Sequence, residues 1–275
     1  MALVINTNVS ALIAQQNLAV TNDQLKVSVQ RLSSGYRVNS SADDAAGLAR
    51  ADLLKSQSRI IQVSIRNAND AVSAMEISDK AAEQVTNIVT RMGELAASAA
   101  QGTLDSTNRA YYSGEYDKLI DEINRIAGTT EFGGFKLIDG STLALTMYIG
   151  FKNTANDKLS VTLNALTTGT LGLTSGKIAT MTGALSALAT ISGALNTINA
   201  ARAVYGASTN RLSAAMSNLQ VTYTNYQAAE SRIRDADFAF ETAIYTRNQI
   251  MVQAGTSVLA QANTLPQNAL ALLRG

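Results

Sequence analysis

Residues 191–240 read ISGALNTINAARAVYGASTNRLSAAMSNLQVTYTNYQAAESRIRDADFAF, and a large apolar or aromatic residue recurs there at every seventh position. The series is Ile191, Ile198, Tyr205, Leu212, Leu219, Tyr226, Ile233 and Phe240. A seven-residue repeat held this long means one helix laid along another, because about 3.5 residues per turn keeps the same edge facing a neighbour. After Phe240 the rhythm slips by four and resumes as Ile244, Met251, Val258, Leu265 and Leu272. The other end of the chain answers it. Val4, Ala11, Leu18, Leu25 and Leu32 are also spaced by sevens, and Leu54, Ile61, Ala68, Met75, Ala82 and Val89 form a third series. The expected fold is therefore mainly α: a long, antiparallel, coiled-coil-like helical rod that runs out and back, with a small β-hairpin region in the middle of the chain. Rods of this kind are assembly parts more often than catalysts.

Composition narrows the chemistry. The 275 residues include no His, Cys or Trp, and a single proline, Pro266. Without His or Cys there is no imidazole base, no thiolate nucleophile, no zinc site of the usual nitrogen and sulfur kind and no disulfide. We expect no enzyme activity, no cofactor and no metal. The acidic groups at Glu115, Asp117, Asp121 and Glu122 lie in a row along a solvated helix face, whereas a hard cation needs converging ligands. The 22 Lys and Arg nearly cancel the 21 Asp and Glu. No basic run is dense enough to track a phosphate backbone, so nucleic acid is not an expected partner. The first residues, MALVINTNVSALIAQQ, lack the basic start and apolar run of a cleavable secretory signal, and no stretch of about 18 apolar residues would insert in a membrane.

Along the chain, a first amphipathic helix is expected to end at Ser33-Ser34-Gly35, where Gly35 suits a C-terminal cap. Asp43 or Asp44 starts a second helix, placing an acidic side chain near unpaired N–H groups. That helix runs to about residue 100 and would be roughly 85 Å long. Asp105 or Ser106 caps a third, with Leu119, Ile123 and Ile126 on one face until Gly128. Alternation at Leu143, Leu145, Met147 and Ile149, and again at Leu159, Val161 and Leu163, predicts a hairpin, with Leu171-Gly172-Leu173 closing the β region. The long C-terminal helix begins near Ile178. The slip after Phe240 follows the charged stretch at residues 232–237 and marks a second linker.

The expected division is thus an N-terminal part of an inner-core helical domain at 1–33, a linker at 34–44 and an outer-core helical domain at 45–233 that includes the β-hairpin region 130–175. A linker at 234–239 and the C-terminal part of the inner-core domain at 240–275 complete it. The terminal series carry too few large apolar residues to offset the ordering of so many residues. The ends are expected to be poorly ordered in a monomer and to become helical when many copies pack.

Several long motifs, in order and at both ends, resemble those of bacterial flagellins. Asn6-Thr7-Asn8 is similar to the family's N-terminal signature, and RLSSGYRVNSSADDAAGLA at 31–49 to its most distinctive motif. RNANDAVSAMEISDKAAEQV at 66–85, SRIRDADFAFETA at 231–243 and AGTSVLAQANTLPQNALALLR at 254–274 continue the likeness. The resemblance implies a secreted, extracellular protein: the self-assembling subunit of the flagellar filament, in a minimal form with little or no outer domain. It implies export in an unfolded state, polymerisation at the distal tip and transmission of motor torque for swimming. The implied partners are many copies of the same chain, a flagellar export chaperone, the filament cap and hook-filament junction proteins. The inner-core assembly residues are then Val4, Ala11, Leu18, Leu25, Leu32, Ile244, Met251, Val258, Leu265 and Leu272. The outer-core packing residues are Leu54, Ile61, Met75, Val89, Leu212, Leu219 and Ile233. Some flagellins are read by a host Toll-like receptor, and the resemblance places that contact at Arg91, Leu95 and Glu115, with Ser98 where the family has Gln.

Overall fold

The computed structural model describes the backbone of residues 7–274 apart from 143 and 153, and side chains as far as residue 264. Five long helices dominate the described residues: α1 (Val9–Ser34), α2 (Ala45–Ala99), α3 (Ser106–Thr129), α4 (Met181–Arg234) and α5 (Phe238–Arg274). Between α3 and α4 lie four short strands, β1 (Glu131–Phe132), β2 (Phe135–Lys136), β3 (Ala144–Tyr148) and β4 (Lys158–Thr162), in two antiparallel pairs. The chain divides into two compact units, one of residues 57–224 and one of the residues before and after it.

In the 57–224 unit the seven-residue rows become the core. Ile61, Ala68, Met75, Ala82 and Val89 of α2 are fully buried, as are Ile198 and Leu212 of α4, with Tyr205 1% and Leu219 8% exposed. A second buried row runs between the members of each series: Ser64, Ala71, Ser78, Val85, Met92 and Ala99 on α2, and Ala187, Ala194, Ala201 and Ser208 on α4. Sequence reading missed this row because its members are mostly small or hydroxylated. Those small residues let the helix backbones approach while the large series interdigitate. Ser64 and Ser78 satisfy their hydroxyls on the carbonyls of Ile60 and Ala74 one turn back. The two helices run antiparallel: Gln62 donates to the Tyr223 hydroxyl at 2.6 Å, and Arg202 pairs with Asp79 at 2.8 Å.

Helix α3 starts where expected, with the Asp105 carboxylate accepting from the Asn108 N–H at 2.8 Å. Tyr116, Ile120, Ile123 and Ala127 face the same core, while Leu119 and Ile126 are half-buried. The expected hairpin is β3–β4, in register through Leu145 with Val161 and Met147 with Leu159. Leu171-Gly172-Leu173 is a turn and not a strand: Gly172 takes φ 69°, and the Leu173 N–H donates to the Thr168 carbonyl at 2.9 Å. Its two leucines are buried nonetheless, which is the apolar signal the sequence carried.

Burial pushes the Tyr205 phenol from 10.0 up to about 12. Below pH 10 both the folded and unfolded chains keep that proton. From about pH 10 to 12 the unfolded chain releases it while the folded chain holds it, so stability falls as pH rises through that window. Tyr205→Phe is expected to remove about 1.4 kcal/mol per pH unit from that alkaline slope. Urea unfolding of both proteins between pH 9 and 11.5 measures it.

Candidate functional site

The other unit pairs α1 with α5, again antiparallel. Asn8 caps α1 by accepting from the Ala11 N–H at 3.1 Å, and its Nδ2 reaches across to the Ala262 carbonyl at 2.7 Å. At the opposite end of the pair, Arg31 meets Glu241 at 3.6 Å. Beyond them the connections 35–44 and 235–237 form a clasp. Gly35 closes α1 at φ 74°, and its carbonyl accepts from the Ala236 N–H at 2.9 Å. Tyr36 bridges Asp235, the Arg37 N–H donates to the Arg234 carbonyl at 2.7 Å, and the Arg234 guanidinium lies 4.4 Å above the Tyr36 ring. Val38, whose N–H reaches the same Arg234 carbonyl at 3.3 Å, is 2% exposed. The Asp43 carboxylate accepts from the Ser40 and Asn39 N–H groups, which hold it below its ordinary pKa. Asp44, accepting from the Gly47 N–H at 2.8 Å, is the residue that opens α2.

Within the described residues α1 and α5 are helical and paired, and the clasp at one end and Asn8 at the other add polar contacts that apolar counting leaves out. The seam itself is thin. Ala11, Leu18, Leu25 and Leu32 are half-buried, and the residues fully buried between them are Thr21 and Ser28. Against α1, α5 sets Glu241, Asn248, Gly255 and Ala262, a row spaced by sevens in which nothing is large and apolar. A Cβ built on Gly255 would lie 3.1 Å from Leu18 Cδ1. Gly255→Leu is therefore expected to force α1 and α5 apart at a cost of about 1 to 3 kcal/mol. Amide exchange would show lost protection in those two helices and none lost within 57–224.

The large apolar row of α5 lies elsewhere. Ile244 is half-buried, but Met251 is 51% and Val258 55% exposed. Val4 lies outside the described residues, as do the side chains of Leu265 and Leu272. With Phe238, Phe240 and Ile250 on α5, and Val9, Leu12, Ile13, Val20, Val27 and Val29 on α1, the pair leaves an unusual amount of apolar surface open. Such exposure marks a surface meant to be covered.

The remaining sequence-derived residues fall in three places. Ile61, Met75, Val89, Leu212 and Leu219 are core residues of the 57–224 unit, whereas Leu54 and Ile233 are half-buried in the α1–α5 unit. Arg91 pairs with Glu115 and with Glu94, both at 2.9 Å, on the surface, while Leu95 is 2% exposed and belongs to the core. Three members of the acidic row have structural partners: Glu115 pairs with Arg91, Glu122 with Arg125, and Asp117 accepts from the Gly176 N–H. Among the described residues no group of acidic side chains converges to hold a metal, and no helix is long and apolar enough to cross a membrane.

The sequence model of the bacterial flagellin N-terminal helical region matches residues 5–142, and that of the C-terminal helical region matches 188–273. The chain belongs to the flagellin family. Among its relatives, this flagellin is 34% identical to the flagellar filament 33 kDa core protein of Treponema phagedenis, over 99% of this chain and 100% of that one. It is 35% identical to flagellin FlaB1 of Treponema pallidum over the same shares. With polar flagellin F of Vibrio parahaemolyticus it shares 45% identity over 54% of this chain, spanning 40% of the Vibrio protein. The crystal structure of Bacillus cereus flagellin superposes with a TM-score of 0.50 at 30% identity, covering 56% of this flagellin and 88% of that chain. The two family matches leave residues 143–187 between them, and those residues carry the β3–β4 hairpin.

Proposed function

We propose that this flagellin is the self-assembling structural subunit of a bacterial flagellar filament, with no enzymatic role. The observation that carries this reading is the α1–α5 pair, whose seam is small and polar while its large apolar side chains stand exposed. A surface of this kind becomes stable when further copies cover it. In this reading residues 1–33 and 240–275 form the inner layer of the filament, 45–233 the outer layer, and 34–44 and 234–239 the linkers between them. The subunit leaves the cell unfolded, polymerises at the distal tip and passes motor torque along the filament as thrust. The export chaperone, cap, hook-filament junction proteins and the receptor contact at Arg91, Leu95 and Glu115 follow from family resemblance.

Negative-stain microscopy of the purified full chain, with and without sheared filament seeds, tests the reading. Long helical filaments growing from seeds are the expected result. A protein that stays monomeric with seeds at high concentration, or that forms only short capped oligomers, is not a filament subunit.

A further inference from the structure

Helix α4 carries little charge. From Met181 to Ala229 it has two charged residues, Arg202 and Arg211, and no acidic one. Arg202 is partnered, by Asp79 of α2 at 2.8 Å. Arg211 is exposed, its neighbours one turn away are Ala207, Ser208, Ala214 and Ala215, and among the described residues no carboxylate pairs with it. A carboxylate in the same situation stands on α2. Asp70 is exposed, and neither Arg66, one turn before it, nor any other cation among the described residues pairs with it.

The contact between Arg202 and Asp79 fixes where these two groups lie. Asp70 is nine residues before Asp79 and Arg211 nine residues after Arg202, and the helices run antiparallel, so both lie at one level of the pair. Nine residues are about two and a half turns of helix. Side chains that far from a pair reaching toward each other leave the two helices on opposite flanks. Within one chain the two charges therefore do not meet, whereas a copy alongside at the same level brings the Arg211 flank of one against the Asp70 flank of the next. Such a contact joins two different patches, so it repeats from copy to copy and does not close as a dimer.

The surroundings of the two groups match. Asp70 lines a groove of about 440 Å³ together with Asn67, Phe132, Phe135 and Tyr148. Phe135 is 59% exposed, just after the tight turn that Gly133 and Gly134 make at φ 58° and 84°. A carboxylate beside exposed rings suits a guanidinium, which pairs with the carboxylate and also lies over an aromatic face. On the other flank Arg211 rises between Ala207 and Ala214, which are exposed and small and leave room for a ring beside its stem.

We propose that the groove at Asp70 and Phe135 receives Arg211 of a second copy of this chain, as a side-to-side contact between 57–224 units in the polymer. This rests on the filament-subunit reading.

Charge reversal in the full-length chain tests it. Asp70→Arg and Arg211→Asp are each expected to raise, about tenfold or more, the lowest concentration at which seeded filaments keep growing. The melting transition of either monomer stays at the parental value, because both side chains are exposed. The double reversal is expected to grow near the parental concentration. So is an equimolar mixture of the two single variants, since each supplies the charge that the other lacks. Single variants that grow at the parental concentration overturn the proposal and leave the filament reading standing. Impaired variants that neither the double reversal nor the mixture rescues overturn it too, because each charge then serves a different contact. Rescue by the double reversal alone would place the pair within one chain, which also overturns it. If Asp70→Arg lowers the melting transition, Asp70→Asn, Arg211→Gln and the two together replace the set. The combined variant is then expected to be no worse than either single one, and effects that add overturn the proposal. Should the parent form no filaments even from seeds, the filament reading fails on its own account, and this contact with it.

Discussion

Val258→Asp is expected to leave the melting transition of the 57–224 unit in place while abolishing growth from seeds. In the free subunit Val258 is 55% exposed on α5, so a carboxylate there stays hydrated and costs little. In the proposed inner layer the same position would be covered by a neighbouring copy. An unpaired carboxylate taken out of water costs several kcal/mol. About 4 kcal/mol corresponds to roughly a thousandfold rise in the concentration needed for assembly, and the same penalty recurs in every subunit. Seeded elongation followed by light scattering, with calorimetry of the monomer, reads both halves of the expectation. Elongation at the parental rate would show that this face of α5 stays open in the polymer. Loss of the body's transition would show that α5 is part of the body's fold.

The second large effect lies within the 57–224 unit. Leu212 is fully buried and belongs to the continuous core built by α2, α3, α4 and the strands, so Leu212→Ala is expected to cost about 2 to 5 kcal/mol. Leu219 sits seven residues on, 8% exposed, at the margin of that core. Leu219→Ala should fall at the lower end of the same range, because its site is better able to relax. Equilibrium denaturation of both variants orders them, and a Leu212→Ala protein as stable as its parent would mean that α4 packs through a different face.

The mainly α fold was legible because its signal is periodic and carried by large residues. Ile191, Ile198, Tyr205 and Leu212 could hardly be read otherwise than as one edge of a long helix. The complementary edge was not legible. Ser64, Ser78, Ala194, Ala201 and Ser208 are buried because they are small, and smallness does not distinguish a close-packed position from a solvated one in a chain this rich in Ala and Ser. The same blindness affected the ends. Large residues drew the reading of α5 to Ile244, Met251 and Val258, whereas α1 meets Glu241, Asn248, Gly255 and Ala262. Leu18 fits against α5 through the space that Gly255 leaves. Asn8 stood inside a recognisable motif, yet only the antiparallel pairing gives it a second partner 254 residues away. Gly35 as a cap, Asp105 as a cap and the β3–β4 hairpin were readable because each is a local signal, settled within a few residues.

In the proposed filament the exposed apolar rows of α1 and α5 are covered by other copies of this chain. Helical reconstruction of the polymerised full-length protein by electron cryomicroscopy tests it most directly. The expected result is that α1 and α5 of every copy line the innermost layer, with Val20, Val27, Ile250, Met251 and Val258 in contact with neighbouring copies. A filament in which those side chains face solvent while residues 57–224 make all the contacts between copies would contradict it.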